Sequence, residues 1–290
     1  MPQATIILST MGNNISIVVP TFNSQSYIAD SLATIMQAVI PLFKDIELVV
    51  VNDGGNLDIE GILTKLKNTY GIAVTYIILK RNNGQFWSTN VGIINAQYDT
   101  IITIDDDLSY PPASIASLVK LAKQDKFVVY GTVKKSGFLH LSRIAVYWLC
   151  SKKMGSSLRY FSRGLIENPA ELNVPIDVYF EGLPDFKNYY TNIYIPEGKQ
   201  KANHPNLNLQ SLWRKIVIAF NYTYIYPKNK LPYLIALNAM LAFVLLMLNH
   251  IVWAFVVTPT FILGIAGMLK YYLSPLKRRV SEIEYEIKRL

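Results

Sequence analysis

Cysteine is almost missing from this chain: a single thiol, Cys150, in 290 residues cannot close an internal disulfide. That excludes a disulfide-stapled extracellular scaffold and fits a reducing, cytoplasm-facing location. No export signal is expected either, because the first apolar run is only Ile6-Ile7-Leu8 and no basic region precedes it. No G-x-G-x-x-G follows the first expected strand and no G-x-x-x-x-G-K-[ST] occurs anywhere, so neither a dinucleotide fold nor a P-loop is supported. Acids are scarce relative to bases, 20 against 28, for a formal charge of +8. A basic chain prefers anionic partners, and those expected here are phosphates and membrane headgroups, with no nucleic acid.

Apolar residues are what the chain has in excess. They make up 51% of it, too many for an ordinary soluble enzyme, so part of the chain is expected in lipid. Residues 231–273 contain no acid and one base, Lys270. A bilayer is spanned by about 20 helical residues, so this stretch is expected to form two spans, 231–248 and 251–273, turning at Asn249-His250. Lys228 and Lys230 precede the pair, Lys277, Arg278 and Arg279 follow it, and the turn has neither Lys nor Arg. The positive-inside rule then puts both termini and the first part of the chain on the cytoplasmic side of an integral membrane protein.

Residues 15–130 alternate between two patterns. Continuous apolar runs at 15–19, 46–51, 74–79 and 101–104 are expected to be strands buried on both faces. Between them lie helical spacings: Ile28, Leu32, Ile35, Met36 and Val39; Ile59, Ile62, Leu63 and Leu66; Trp87, Val91 and Ile94. A fourth set, Ile115, Leu118, Val119 and Ala122, follows the last strand. This is an α/β fold with a mostly parallel sheet, whose ligands bind beyond the C-terminal ends of the strands.

The polar residues sit at those ends. The strands are followed by Pro20-Thr21-Phe22-Asn23, Asn52-Asp53-Gly54-Gly55, Arg81-Asn82-Asn83-Gly84-Gln85 and Asp105-Asp106-Asp107 in turn. Taken together the four loops describe a nucleotide pocket. Taken singly, Asp53-Gly54 also reads as a turn, Asn23-Ser24 as a helix cap and the triple acid as a solvated acidic turn. Three crowded carboxylates repel one another, and hard oxygen ligands suit Mg²⁺ or Mn²⁺ bridging a few carboxylates to substrate phosphates.

These four loops, with Pro111-Pro112 after the acids, resemble family 2 inverting glycosyltransferases of the GT-A fold. Their order resembles the polyprenyl-phosphate glycosyltransferases, among them dolichyl-phosphate mannose synthases and bacterial undecaprenyl-phosphate sugar transferases. The resemblance implies a nucleoside diphosphate sugar as donor and a polyprenyl phosphate as acceptor. It implies that Asp53 contacts the base and that Asp105 and Asp107 hold the metal and the phosphates, with Pro20, Thr21, Asn23, Asn82, Gly84, Gln85 and Asp106 lining the donor site. It also implies that Arg159, in the segment 155–163, lies near the acceptor phosphate, joined by Arg163 and by Lys199. Asp105, Asp107 and Arg159 are therefore the catalytic candidates. Three departures stand out: Asn52-Asp53-Gly54-Gly55 replaces the usual Asp-Asp-Gly-Ser, Leu108-Ser109 replaces Leu-Gln, and Ser157 stands where some relatives have Asp.

Four segments follow: a nucleotide-sugar core at 1–135, an acceptor-side and membrane-interface segment at 136–230, the two spans at 231–273 and a cytoplasmic amphipathic tail at 274–290. Phe138, Leu141, Ala145, Trp148 and Leu149, and later Leu209, Leu212, Trp213, Ile216 and Phe220, form stripes expected of interfacial helices. In the tail, Leu276, Val280, Ile283, Ile287 and Leu290 have the spacing of a helical seam, expected to help build a homo-oligomer. Two alternatives stay open. A hydroxyl acceptor on a lipid-linked sugar or glycolipid would need a base, for which Asp177, Glu181 and Asp185 are candidates. A catalytically weak membrane scaffold is the other.

Overall fold

The computed structural model describes residues 13–122, 128–133, 156–166, 172, 176–183, 190–196, 198 and 283–290. The chain divides into two compact units, one made of Met1–Lys134, Gly155–Asn203 and Arg278–Leu290, the other of Lys135–Met154 and His204–Lys277. The second unit, with both expected spans and both expected interfacial helices, lies outside the described residues. Among the described residues no helix is long and apolar enough to cross a membrane.

Each expected strand forms where its apolar run lies. β1 (Asn14–Thr21), β2 (Asp45–Asn52), β3 (Ala73–Leu79) and β4 (Thr100–Thr103) are parallel, and every residue from Ile15 to Thr21 is buried. The connecting helices are α1 (Ile28–Val39), α2 (Glu60–Tyr70) and α3 (Gln85–Asn95), with α4 (Ile115–Ala122) following the acids. Beyond them come β5 (Val128–Val133), β6 (Arg159–Ser162), α5 (Ile176–Gly182), β7 (Tyr190–Ile195) and β8 (Tyr285–Arg289). Among the described residues the sheet has eight strands in the order β7-β5-β6-β4-β1-β2-β3-β8.

Helices cover both faces. One apolar cluster joins Leu32, Ile35, Leu63, Leu118 and Val119 of α1, α2 and α4 to Ile17, Leu48 and Val50. The opposite face packs Val91 and Ile93 of α3 and Ile176 and Phe180 of α5 on Val18, Val49, Ile101 and Phe161. α3 departs from the expected spacing: Trp87 and Ile94 are only partly buried, while Ser88, Thr89, Asn90 and Gly92 are buried. The cause is close packing, since a Cβ on Gly92 would lie 2.5 Å from Val18 Cγ1 and 3.0 Å from Val51 Cγ2. Small residues let this helix approach the sheet, and the large ones are left at its flanks.

The tail corrects an expectation. Residues 285–289 are a strand, antiparallel to β3, with Ile77 opposite Ile287 and Leu79 opposite Tyr285. The order Glu282-Ile283-Glu284-Tyr285-Glu286-Ile287-Lys288 alternates charged and apolar residues with a period of two, which suits a half-covered strand and overrides the seam spacing. Ile283 is buried against the α3 face, and Lys80 meets Glu284 at 2.5 Å.

Sequence periodicity does not reveal Glu47, a carboxylate 2% exposed within β2. It accepts hydrogen bonds from Ser16 Oγ at 2.6 Å, Thr75 Oγ1 at 2.7 Å and the Gln97 amide at 2.6 Å. The three donors join β1, β3 and the turn before β4 through one side chain. Replacing Glu47 with Ala leaves all three unmatched, and at about 1–3 kcal/mol for each buried orphan the variant is expected to lose upward of about 3 kcal/mol in chemical denaturation. A loss below about 1 kcal/mol would mean that water replaces the carboxylate.

Candidate functional site

Strand order locates the crevice. The connections run from β1 outward through β2 and β3, then cross back to place β4 on the other side of β1, so the chain reverses direction between β1 and β4. In open parallel sheets ligands lie at this switch point, beyond the strands' C-terminal ends. The loops after β1 and β4 therefore flank the crevice directly, and hydrogen bonds join them to the other two.

Asp53 carries the first connection. Its Oδ1 accepts from the Asn83 amide and its Oδ2 from the Gly84 amide, both at 2.8 Å, so the loop after β3 is held by the carboxylate after β2. Burial pushes the Asp53 pKa up, and these two amide bonds work against that rise. Gly54 makes the approach possible. With φ at +74° it takes a left-handed conformation, and a Cβ there would lie 2.3 Å from the Arg81 carbonyl carbon. The unusual Asn52-Asp53-Gly54-Gly55 also has a local reason: the Asn52 amide group donates to Gly55 O at 2.8 Å and accepts from the Gly55 amide at 2.9 Å. An aspartate at 52 could accept but not donate.

The acids are met from several directions. Asp105 accepts from Gln85 Nε2 at the start of α3 and from Ser157 Oγ at 2.5 Å. Asp106 accepts from Ser24 Oγ in the loop after β1. Asp107 accepts from the Ser109 amide at 2.9 Å and from Ser109 Oγ at 2.7 Å. Leu108 adopts a left-handed φ of 57°, turning the chain sharply after the acids. Ser109 O then accepts from the Gly198 amide at 2.9 Å, and a Cβ on Gly198 would lie 2.1 Å from Leu108 O. Pro20 and Thr21 are buried at the end of β1, Asn23 takes a φ of 56° beside them, and Asn82 is exposed.

The sequence and the fold have counterparts among known proteins. The family model described as Glycosyl transferase family 2 matches residues 16–162, just over half of the chain. The chain belongs to this family. An undecaprenyl-phosphate 4-deoxy-4-formamido-L-arabinose transferase of Sodalis glossinidius is 32% identical over 124 residues, 43% of this chain and 38% of that protein. The Pseudomonas syringae protein of the same name is 36% identical over 122 residues, 42% of this chain and 36% of that protein. The chain thus spans somewhat under two fifths of the length of these relatives. Among solved structures, glucosyl-3-phosphoglycerate synthase from Mycobacterium tuberculosis with Mn²⁺, UDP and its product superposes with a TM-score of 0.53 at 17% identity, over 73% of this chain and 80% of that one. Mannosyl-3-phosphoglycerate synthase from Rubrobacter xylanophilus gives 0.52 at 14%, over 75% and 74%. Identities this low speak to the fold, which is GT-A.

Within this family 2 chain, the fold sets the two arginines expected beside the acceptor apart from one another. Arg159 pairs with Thr103 across β4 and β6, directly behind the acids, and is 4% exposed. Its Nε and Nη2 donate to the two carboxylate oxygens of Asp177 at 2.6 Å each, and Nη1 donates to Thr103 Oγ1 at 2.9 Å. The guanidinium is buried behind the acid loop, held by Asp177, Thr103 and the Ser157 carbonyl. Arg163 is farther away. It follows β6 at the end where Ser162 pairs with Thr100, and it bonds Asp99 at 3.1 Å, roughly 10 Å down the sheet from the acid end at ~3.3 Å per residue. Lys199 lies outside the described residues.

Ser24, Thr103, Asp177 and Gly198 belong to the site's framework and were not legible as such. Asn23-Ser24 read as a helix cap, yet α1 has no side-chain cap and Ser24 Oγ turns to Asp106. Only a contact across 82 residues reveals that role.

Asp177→Ala strands a buried guanidinium and is expected to cost about 3–5 kcal/mol in thermal or chemical unfolding. Arg159→Met combined with Asp177→Leu should recover most of that, and a double variant no better than Asp177→Ala would refute the pairing as the cause. Asp105 gives a second expectation. Burial lifts its pKa from the ordinary 3.8 to about 6, Asp107 and Asp106 add to the rise, and Ser157 and Arg159 oppose it. An acid that holds its proton more tightly when folded favours the native state at low pH, and that advantage is lost as pH rises from about 4 to about 6. In chelator, the melting temperature is expected to fall across this window by more in the parent than in Asp105→Asn. Parallel profiles would refute the assignment.

Proposed function

We propose that this protein transfers a glycosyl group, with inversion, from a nucleoside diphosphate sugar to a polyprenyl phosphate at the cytoplasmic face of a membrane. The observation that carries this reading is the hydrogen bonding that joins all four strand-end loops beside the β1/β4 switch point, Asp53 to Asn83 and Gly84, Ser24 to Asp106 and Gln85 to Asp105. The relatives named as undecaprenyl-phosphate transferases supply the acceptor class. The glucosyl-3-phosphoglycerate synthase complexes with UDP-glucose and Mn²⁺ supply the donor class and the metal.

Among the described residues no group of three or more His, Cys, Asp or Glu side chains converges on a metal position. Mg²⁺ and Mn²⁺ do not require one, since one or two carboxylates completed by substrate phosphates and water suffice. Asp105 and Asp107 offer that set in one loop, and each is oriented by a hydroxyl donor, Ser157 and Ser109 respectively. When bound, the ion would offset the negative charge that builds on the departing diphosphate.

In the reaction proposed, an oxygen of the lipid phosphate bonds to the anomeric carbon from the face opposite the diphosphate. The carbon–oxygen bond to the diphosphate breaks, and its electron pair leaves with the nucleoside diphosphate. A phosphate monoester has its second pKa near 6, so the nucleophile is already largely anionic and no side chain has to remove a proton. The chain's task is then positioning: Asp53 fixes the Arg81–Gln85 loop over the donor, Pro20, Thr21 and Asn23 form the opposite wall, and Lys199 is the acceptor-side cation. A hydroxyl acceptor would need a free base. Asp177, the described candidate, is held by Arg159, which favours the phosphate. We place the protein in the membrane through residues 231–273, as a homo-oligomer.

Purified full-length protein incubated with a panel of UDP- and GDP-sugars and short polyprenyl phosphates is expected to form glycolipid. Asp107→Asn should slow turnover on the order of a thousandfold or more, several kcal/mol of transition-state stabilisation, and chelation should abolish it. Full activity in excess chelator would overturn the metal's role. Transfer to hydroxyl acceptors alone would overturn the acceptor.

A further inference from the structure

The loop from Arg81 to Gln85 hangs between β3 and α3, and one strand touches both of those elements. β8 is reached only after residues 204–277, which belong to the other compact unit, so pairing rather than a short connection brings it to β3. That pairing runs one residue past the end of β3: the Lys80 amide donates to Glu284 O at 3.1 Å, immediately before Arg81. Lys80 Nζ also meets Glu284 Oε2, but both side chains are 71% exposed, and an ion pair so open to water holds little.

The grip comes from the side chains turned to the α3 face. Ile283 is buried there, and Tyr285 packs beside it, opposite Leu79, with its hydroxyl accepting from Asn95 Nδ2 at 3.3 Å. Asn95 is the last residue of α3, and Gln85, the first, donates to Asp105. The helix has few large anchors of its own. Val91 and Ile93 are buried, but Ser88, Thr89, Asn90 and Gly92 bury little apolar area, so its seating depends on what packs at its flank. The bonds from Asp53 to Asn83 and Gly84 hold the middle of the loop and the bond from Gln85 to Asp105 holds its far end. β8 holds its root.

We propose that β8 is a positioning element for the donor site: by holding Lys80 and seating α3, it keeps the Arg81–Gln85 loop in its nucleotide-accepting arrangement before the nucleotide arrives. A loop ordered in advance binds more tightly, because binding then does not have to supply the cost of ordering it. Affinity for a nucleoside diphosphate is thus set in part by a strand at the edge of the sheet. This role rests on the crevice taking a donor nucleotide.

The test titrates full-length protein calorimetrically with UDP and with GDP in the presence of Mn²⁺. Ile283→Asp puts a charge where a buried side chain was and lifts the start of β8 from the sheet. Nucleotide binding should weaken roughly tenfold, the factor for re-ordering about one residue's backbone. Lys80→Cys and Glu284→Cys are then added to Ile283→Asp in a Cys150→Ser background. Residues paired as these two are have Cα atoms about 5.5 Å apart, within disulfide reach. Oxidation should restore the parent affinity and reduction should remove the gain. Glu284→Lys leaves the apolar core untouched. It adds positive charge beside Arg81, so simple attraction for an anion would tighten nucleotide binding, whereas release of Lys80 weakens it, and adding Lys80→Glu should bring the affinity back. Unchanged affinity in Ile283→Asp, a loss that oxidation does not repair, or tighter binding in Glu284→Lys would each overturn the proposal while leaving the donor reading in place. A parent protein that binds neither nucleotide would overturn the donor reading itself, and this role with it.

Discussion

Three consecutive carboxylates at the buried end of a central strand are the constraint around which the site is arranged. Asp105, Asp106 and Asp107 sit where the sheet reverses direction, and burial raises the cost of charging the first two. Such groups must be met by donors or a cation. The donors come from far apart in the sequence: Ser24 from the loop after β1, Gln85 from the start of α3, and Ser157 from the segment leading into β6, with Ser109 local. Satisfying the acids thereby fixes the positions of the loops that wall the crevice.

A second tier lies behind them. Thr103 donates to Ser157 O at 2.7 Å and accepts from Arg159, whose charge is matched by Asp177 on α5. The buried ion pair spans β6 and α5 just under the acid loop, and its desolvation is offset by two short bonds and by Thr103. Asp105 is therefore oriented through Ser157 by residues that never reach the crevice. Where some relatives place an Asp, a serine here donates to the carboxylate and adds no fourth negative charge.

Glycine acts at two points where backbones meet. Gly54 lies against Arg81 and Asn82 and Gly198 against Leu108 and Ser109, each closer than any Cβ allows. The first contact seats the loop that Asp53 holds, and the second closes the chain after β7 over the turn beyond Asp107. Both carry the same message: the crevice is built by loops packed backbone to backbone, so its dimensions depend on residues with no functional group at all.

The sequence by itself determined the layered α/β core, because continuous apolar runs and 3.6-residue spacings are local patterns that survive any tertiary arrangement. It also located the crevice, since polar loops at four successive strand ends can meet only at one end of a parallel sheet. It did not show that Arg159 is paired with a buried aspartate or that Arg163 bonds Asp99, because partners such as Asp177 are revealed by no spacing. It misjudged the end of the tail, where Tyr285–Arg289 is a strand and not a helical turn. Residues 282–288 fit a seam of four and three as well as an alternation of two, and only the open edge of β3 decided between them. The pairing of Ser24 with Asp106 and the donors around Glu47 were likewise fixed by the fold alone, because they join residues brought together by strand order rather than by sequence.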